Sequence, residues 1–436
     1  MTIDPGLVPL AFILLAATTL LTVPLAAGIL FSSILLITLN AEPLPRDFIL
    51  NYSLAMRLNS PALISIPLFG LAGELAVAAG ISERLLNLAD ALGGSGRHAT
   101  GNRTIFGCTL FASVSGVGPA AVTAEGKRLI PEMLKAGHSR ETAAGAIACA
   151  AGLSIIIPAS VPLTVYAASI GTLTNIVFSA SFVPGLLLAG GLYLMLRAHS
   201  RFKAPGDTPA TEPLRTRAAA LWDARWALLM PVLVLTYLFS GFFTAPEAAA
   251  FSCAYAALIG RVFHKCMAGD QIRAALDRAA TTAATVLLMA GMGGLFSMLM
   301  HSCGFTDRLA EFVFSHCGGR TGSILVMNLI LLLAGCFLDM PAIITFLAPL
   351  FLPLAALCSL SLPHFGVMVV MNLAIGLVTP PQAWNIAAAA KTAGIDMWSA
   401  ARGALPFIAV MLFLLGLISY YPSLSLWFPE LLGWPV

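Results

Sequence analysis

Asn372-Leu-Ala-Ile-Gly376-Leu-Val-Thr379-Pro380-Pro381-Gln382-Ala383-Trp384-Asn385 lies among long apolar segments, yet it cannot be one continuous helix. Pro380 and Pro381 supply no backbone N–H, and each ring clashes with the turn before it. The residues preceding them are pushed out of the helical region. Carbonyls that lose their helical partners cannot face lipid; they are buried in protein or line a polar cavity. Interrupted helices of this kind, at membrane depth, build the ion and solute sites of carriers.

The rest of the chain supplies the membrane character. Of its 436 residues 59% are hydrophobic and only 10% charged, with a mean hydropathy of +0.92. A soluble domain carries roughly 25% charged residues, and a chain of this composition could not cover a soluble surface. It reads as an all-α polytopic membrane protein with roughly ten to twelve spanning or half-spanning segments of about 20 residues. The net charge of +3 comes from basic residues scattered between apolar runs, which excludes a nucleic-acid patch. The eight cysteines form no C-x-x-C pair and match no metal or disulfide framework, so they read as small packing residues. No basic n-region precedes the first apolar run, and no cleavable signal peptide is expected.

Residues 6–40 are expected to form two helices, or one kinked at Pro24, and 41–60 a polar connection. Residues 62–81 read as a span. Residues 82–92 then set leucines on one side and charges on the other. Ser82 can cap this helix and Gly93-Gly94 can stop it, so it is expected to lie in the membrane interface. Residues 104–124 are rich in small residues around Ser113, Ser115, Gly116 and Gly118, and a charged turn is expected over 127–140. A second broken run, Gly152-Leu-Ser154-Ile-Ile-Ile157-Pro158-Ala159-Ser160, lies inside 141–171, followed by a plain span at 174–196. Residues 197–225 hold six of the chain's 23 basic residues and three prolines. They read as a linker on the cytoplasmic side. The segment 421–436, without Lys or Arg, is placed on the far side.

In the second half a span at 226–243 precedes a helix at 247–263, where Thr244-Ala-Pro-Glu247 spells a capping box. A run at 282–300 leads into Gly304, two apolar segments flank Asp339-Met340-Pro341, and the last span is 404–420. The halves overlay. Gly80-Ile-Ser-Glu-Arg84-Leu-Leu matches Gly304-Phe-Thr-Asp-Arg308-Leu-Ala at an offset of 224 residues, and each helix closes on a Gly-Gly pair. Carried forward, the offset sets Ser115 opposite Asp339 and, with a shift of two, Pro158 opposite Pro380. Two structural repeats are expected, each with an interfacial helix, a small-residue break and a proline-bearing break. Paired breaks in two halves point to a carrier site at the midplane. The relative orientation of the repeats stays open.

Further motifs recur along the chain in a fixed order. They are Ile66-Pro-Leu-Phe with Gly73, Ile130-Pro-Glu-Met-Leu-Lys-Ala-Gly137, Ile157-Pro-Ala-Ser160 with Tyr166, and Gly241-Phe-Phe-Thr-Ala-Pro-Glu-Ala-Ala-Ala250. Asp339-Met-Pro-Ala with Pro349 and Pro353, Pro363-His-Phe-Gly366 and the opening stretch complete the set. In this order they resemble the large membrane (permease) subunit of a tripartite ATP-independent periplasmic (TRAP) transporter, of the ion transporter superfamily, over nearly the whole chain. The resemblance implies an elevator-type secondary transporter. A mobile transport domain, built from two re-entrant helical hairpins and two broken transmembrane helices, moves across a scaffold. By the same resemblance the first half divides into scaffold helices (1–60), a span with its interfacial helix (61–103), hairpin and first broken helix (104–172), and a scaffold helix with linker (173–225). The second half divides into scaffold helices (226–281), span and interfacial helix (282–321), hairpin and second broken helix (322–395), and terminal helix with tail (396–436).

Also implied are sodium-coupled uptake of a small organic acid and delivery by a periplasmic substrate-binding protein. A small four-helix membrane subunit is the implied partner, the bacterial inner membrane the location, and Na+ the coupling ion in place of any cofactor. One sodium site carries over to Ser115, Gly118, Ser154, Ile157 and Pro158, and a second to Gly335, Gly376, Thr379 and Gln382. Substrate contacts are expected at Ser115, Ser160, Asp339, Pro380 and Asn385. The chain departs from the family pattern in three places. Ser115-Gly-Val-Gly118 stands for Ser-Gly-Ser-Ser, Pro158-Ala-Ser160 for Pro-Pro-Ser, and Ala383 for a glycine. Alanine does not take the positive φ open to glycine, so a differently shaped hairpin tip is expected at Ala383.

Several of these residues have a plainer reading. Ser115 could bond back to its own helix, Asp339 could cap the helix after it, and Asn385 could bond a neighbouring helix. Glu247 reads as a cap, His301 and His316 as headgroup-facing, and Lys391 as snorkelling from a helix end. An enzyme would need a nucleophile–base pair or metal cluster within the spans; no His-Glu-x-x-His or Gly-x-Ser-x-Gly is present, and no enzyme is expected. Two other functions fit the composition: a dicarboxylate/sodium symporter without a periplasmic partner, and a non-transporting membrane scaffold.

Overall fold

The computed structural model describes residues 5–21, 23–39, 61–93, 99–115, 118–203 and 214–435, and every regular element among them is helical. The first apolar run divides at Pro24 into α1 (Val8–Leu20) and α2 (Leu25–Leu39). The connection expected at 41–60 lies outside the described residues. After α3 (Pro61–Ala78) the chain bends by 65° into α4 (Ile81–Leu92) at Gly80, whose φ is 67°. The cap expected from Ser82 does not form. Gly80 takes the N-cap position because only the left-handed conformation makes this bend, while Ser82 sits inside the helix, buried.

α5 (Ala99–Ser115) and α6 (Gly118–Lys135) follow. The charged turn expected over 127–140 is corrected here: α6 runs on to Lys135 and only 136–139 lie outside helix. The reason is amphipathicity. Leu129, Ile130 and Met133 are buried, while Arg128 on another face pairs with Asp90 of α4 and with Glu132 one turn on. α7 (Arg140–Ala150), capped by Ser139 through the Thr142 N–H at 3.2 Å, gives way to α8 (Leu153–Ile156) and α9 (Val161–Ile170) with a 42° bend at the proline break. α10 (Thr174–Lys203) and α11 (Leu214–Ser240) extend into both ends of the expected linker. Residues 204–213 between them lie outside the described residues.

α12 (Ala245–Leu258) opens on the expected box: the Glu247 carboxylate accepts from the Thr244 N–H at 2.7 Å and from its hydroxyl at 2.8 Å. After a π-helical turn come α13 (Gly269–Ser302), a left-handed Gly304 with φ of 67°, and α14 (Phe305–His316). α15 (Gly319–Phe337), α16 (Met340–Leu350), α17 (Leu352–Leu357), α18 (Leu362–Gly376) and α19 (Trp384–Ala393) form the second interrupted region. α20 (Met397–Tyr420) is the last long helix, and the expected tail contains α21 (Ser423–Leu431). Five helices among the described residues are long and apolar enough to cross a membrane, and two bent pairs add candidates.

The largest buried core joins α5 to α10 with α15 to α20 and takes in residues of α3 and of α11 to α14. A second joins α1 and α2 to α13 and α16, and a third joins α3 and α4 to α11, α12 and α13. The two ends of the molecule can be told apart. Thr142 Oγ1 lies 3.2 Å from His199 Nε2, and Arg140 Nη1 donates to the Ala393 carbonyl at 3.3 Å, so the base of the α5–α6 hairpin shares the linker end. Tyr420, at the opposite end of α20, donates to the Thr321 carbonyl at 2.9 Å. The α15–α16 hairpin therefore has its base at the far end, with α21.

Candidate functional site

The second break is built on a backbone crossing. α15 and α18 meet where Gly335 faces Gly376: a Cβ placed on Gly376 would stand 2.8 Å from the Cα, carbonyl carbon and oxygen of Gly335. Beyond Gly376 the chain leaves the helix through Leu377–Ala383, with a cis peptide at Pro380–Pro381. Gln382 ties this loop back to the hairpin. Its N–H donates to the Cys336 carbonyl at 3.2 Å and its Nε2 to the Phe337 carbonyl at 2.6 Å. Gln382 Oε1 is buried and accepts from no donor. Thr379 Oγ1 donates to the Ile375 carbonyl at 2.7 Å, which leaves the hydroxyl lone pairs open. An orphaned amide oxygen, a free hydroxyl oxygen and a loop of unwound carbonyls form a neutral oxygen set, which suits a hard monovalent cation.

Ala383 corrects the expectation made for it. It adopts φ 38° and ψ 54°, in the left-handed region, fully buried, as the N-cap of α19. The loop keeps the conformation a glycine would take, and the alanine bears the strain. Ala159 in the first break does the same, with φ 75°. The two alanines are 224 residues apart, like Gly80 and Gly304, so the breaks correspond without the shift of two used to pair Pro158 with Pro380.

In the first break Ser154 Oγ donates to the Ala151 carbonyl at 2.7 Å, Ile157 leaves the helix in an extended conformation, and Pro158 follows. Ser160 is fully buried and caps α9, accepting from the Leu163 N–H at 3.4 Å. Ser115 ends α5 and Gly118 begins α6; Gly116 and Val117 between them lie outside the described residues. α5 packs against α8, which sets the end of the hairpin near the break.

The two breaks belong to one body. Asn385 is fully buried and its Nδ2 donates to the Ala148 carbonyl of α7 at 3.1 Å, which is the interhelical bond of its plainer reading. Tyr166 of α9 donates to the Leu362 carbonyl of α18 at 2.7 Å. Asp339 stands at the N-cap position of α16, exposed and without a side-chain cap bond. Pro380 is partly exposed, and Trp384 is half exposed. The lining of an apolar cavity of about 100 Å³ includes Val161, Pro162, Thr282, Met340 and Pro341.

Three buried polar groups escaped the sequence reading. Glu125 on α6 is completely buried; its carboxyl meets the Cys108 thiol and no nitrogen or oxygen donor. It lies in Ala124-Glu-Gly-Lys-Arg128, which looks like a charged turn until the helix is known. Asn372 and Asn328 are joined by a 2.7 Å bond, and Asn328 Nδ2 donates to Ser419 Oγ at 3.0 Å. That string crosses α18, α15 and α20, and only the polar residues in otherwise apolar helices hinted at it.

A family model described as "Tripartite ATP-independent periplasmic transporter, DctM component" matches residues 12–424. The isethionate TRAP transporter permease protein DctMQ of Oleidesulfovibrio alaskensis is 33% identical over 98% of this chain; the chain spans 66% of that longer relative. The C4-dicarboxylate TRAP transporter large permease protein DctM of Pseudomonas aeruginosa is 32% identical over 85% of this chain and 87% of its own length. The sialic acid TRAP transporter large permease protein SiaM of Vibrio cholerae is 30% identical over 85% and 86%. Among solved structures, the YdaH transporter of Alcanivorax borkumensis shares the fold, with a TM-score of 0.63 over 98% of this chain and 99% of that one, at 15% identity.

Proposed function

Because this chain belongs to the DctM component family of tripartite ATP-independent periplasmic transporters, we propose that it carries a small organic anion inward, driven by sodium, by an elevator movement. The chain is the large membrane permease of such a system; its relatives are permeases. The anion arrives on a periplasmic substrate-binding protein, and a small four-helix membrane subunit braces the scaffold. The relatives' names span a sulfonate, C4-dicarboxylates and sialic acid, so the shared feature of the cargo is one or two acidic groups on a small polar body. The basic residues around 197–225 support an orientation with the linker end in the cytoplasm and α21 in the periplasm.

The observation that carries this reading is the Gly335–Gly376 crossing with the Gln382 tie. It supports a sodium site of Gly335, Gly376, Thr379 and Gln382, where Gln382 Oε1 is an acceptor in want of a positive partner. Ser154, Ile157 and Pro158, with the Ser115 and Gly118 ends of the first hairpin, supply the second site by the same logic. The start of α9, capped by Ser160, and the start of α19 present helix N-termini to the anion. The hairpins open at opposite ends of the molecule, as alternating access by a two-repeat carrier requires.

Uptake into proteoliposomes holding this chain and its small subunit tests the reading, with candidate binding proteins supplied outside. Uptake should require an inward sodium gradient, and Thr379→Ala should raise the sodium concentration for half-maximal uptake. Uptake indifferent to sodium would remove the coupling, and uptake without any binding protein would favour the partner-free symporter instead.

A further inference from the structure

Between the first hairpin and the helices α3 and α13 lies a cavity of about 510 Å³. α6 contributes Thr123, Ala124 and Lys127 to its wall, α3 contributes Glu74, and α13 contributes Arg278 and Thr282. That volume falls in the range of small-molecule sites. Two of its three charges cancel, since Arg278 Nε donates to the Glu74 carboxylate at 2.7 Å. Arg128, next along α6, points elsewhere and is held by Asn87, Asp90 and Glu132. Lys127 has no ion pair or hydrogen bond among the described residues. The cavity therefore carries one uncompensated positive charge.

The cavity's place in the fold gives that charge a use. Lys127 lies on α6 between Gly118, next to the breaks, and the hairpin base beside His199 at the linker end. Its walls come from the first hairpin on one side and from α3 and α13 on the other. Low-dielectric walls around one sign of charge focus the field and concentrate the opposite ion.

We propose that this cavity is an anion-binding station for a small carboxylate or sulfonate, with the Lys127 ammonium as its charged ligand. The Glu74–Arg278 pair makes up a neutral wall opposite Lys127, so one acidic group is balanced and a cation is repelled. The use of the station as a halt between the breaks and the cytoplasm rests on the transport reading; anion binding in it does not.

The test places a reporter thiol by Ala124→Cys in the chain with its small subunit. Its reaction with sulfonatoethyl methanethiosulfonate (anionic) and with the trimethylammonioethyl analogue (cationic) is read at that peptide by mass spectrometry, so the native cysteines do not interfere. The anion-over-cation rate ratio, normalised to a free thiol, should fall by about 5-fold with Lys127→Gln and rise with Glu74→Gln. Millimolar succinate or ethanesulfonate should slow a neutral reagent at the same thiol, and Lys127→Gln should abolish that protection. A ratio unmoved by Lys127→Gln overturns the proposal, and so does a neutral reagent whose rate neither anion changes. No step of the assay measures uptake, so a failure of sodium coupling leaves its outcome intact.

Discussion

Gly376→Ala is the sharpest test of the crossing on which the proposed sodium site of Gly335, Gly376, Thr379 and Gln382 rests. The added methyl would sit 2.8 Å from three backbone atoms of Gly335, against an ordinary carbon–carbon contact of about 3.5 Å. Backbone cannot swing aside as a side chain can, so α15 and α18 must part by about 0.7 Å. Overpacking of that kind costs about 1–3 kcal/mol. The parting also stretches the 3.2 Å bond from the Gln382 N–H to the Cys336 carbonyl toward about 3.9 Å, beyond hydrogen-bond range, and forfeits about 1 kcal/mol more. The gain in helix propensity over glycine returns about 1 kcal/mol. The net loss is about 1–3 kcal/mol. Gly335→Ala is the built-in control. Its methyl would meet Gly376 Cα at 3.2 Å, a shortfall small enough for the propensity gain to cancel it.

Thermal unfolding of the purified complex and sodium-dependent uptake read the two variants side by side. Gly376→Ala should melt earlier and need several-fold more sodium for half-maximal uptake, since each tenfold change in affinity is about 1.4 kcal/mol. Gly335→Ala should stay near wild type in both. Equal behaviour of the two variants, or the reverse order, would refute the claim that backbone contact at this crossing shapes the ion site.

Ala383→Gly and Ala159→Gly should each stabilise the protein by about 1 kcal/mol, because glycine takes their positive φ without the steric penalty; a loss of melting temperature in both would contradict the strain argument. Asn372→Leu and Asn328→Leu should each cost about 1–2 kcal/mol, and the double variant less than the sum, as measured by a double-mutant cycle in chemical unfolding; strict additivity would mean the 2.7 Å bond carries no coupling. Burial raises the Asp90 carboxyl to about 6 against the pull of Arg128. A raised folded value means that the contribution is full below pH 3.8 and is lost as pH rises through about 6, so Asp90→Asn should gain on wild type in melting temperature between pH 5 and 7.5. With solvent screening of this part-exposed pair the gain is about 1 kcal/mol or less; a loss over that window would reverse the sign of the burial effect.

What could be read without coordinates was whatever the backbone itself demands. Pro380-Pro381 and Pro158 disfavour a continuous helix, and Thr244 with Glu247 closes a cap within four residues, so all three appear in the structure where the sequence puts them, although Pro67, Pro131, Pro184, Pro231 and Pro406 sit inside helices that run on. Gly80 and Gly304 were visible as a repeated pattern, although the capping role went to the glycine and not to Ser82, since the bend is a matter of φ and the serine never faces the helix end. The reading of 127–140 as a turn failed because Lys127, Arg128, Glu132 and Lys135 belong to a helix whose other face, with Leu129, Ile130 and Met133, is buried. The Gly335–Gly376 contact, the Asn328–Asn372 bond and the isolation of Glu125 join residues from different helices. Local pattern carries no information about which helices will meet.

The alanines at the two breaks show what those segments conserve between halves. Ala159 and Ala383 hold the left-handed region at about 1–2 kcal/mol each, and such a conformation persists only where the surroundings over-determine it. The surroundings do so here in different ways. The Ser160 hydroxyl caps the helix after Ala159, while Gln382 before Ala383 and Asn385 after it are each bonded to another helix. Different side chains thus force the same backbone at positions 224 residues apart. If a neutral ring of carbonyls is what holds the ion, the backbone path is the feature under constraint, and side chains around it are free to differ. Hydroxyls missing near Ser115 and the alanine at 383 then need not abolish an ion site. Trp384, the first residue of α19, is half exposed, and its side chain takes no part in these bonds.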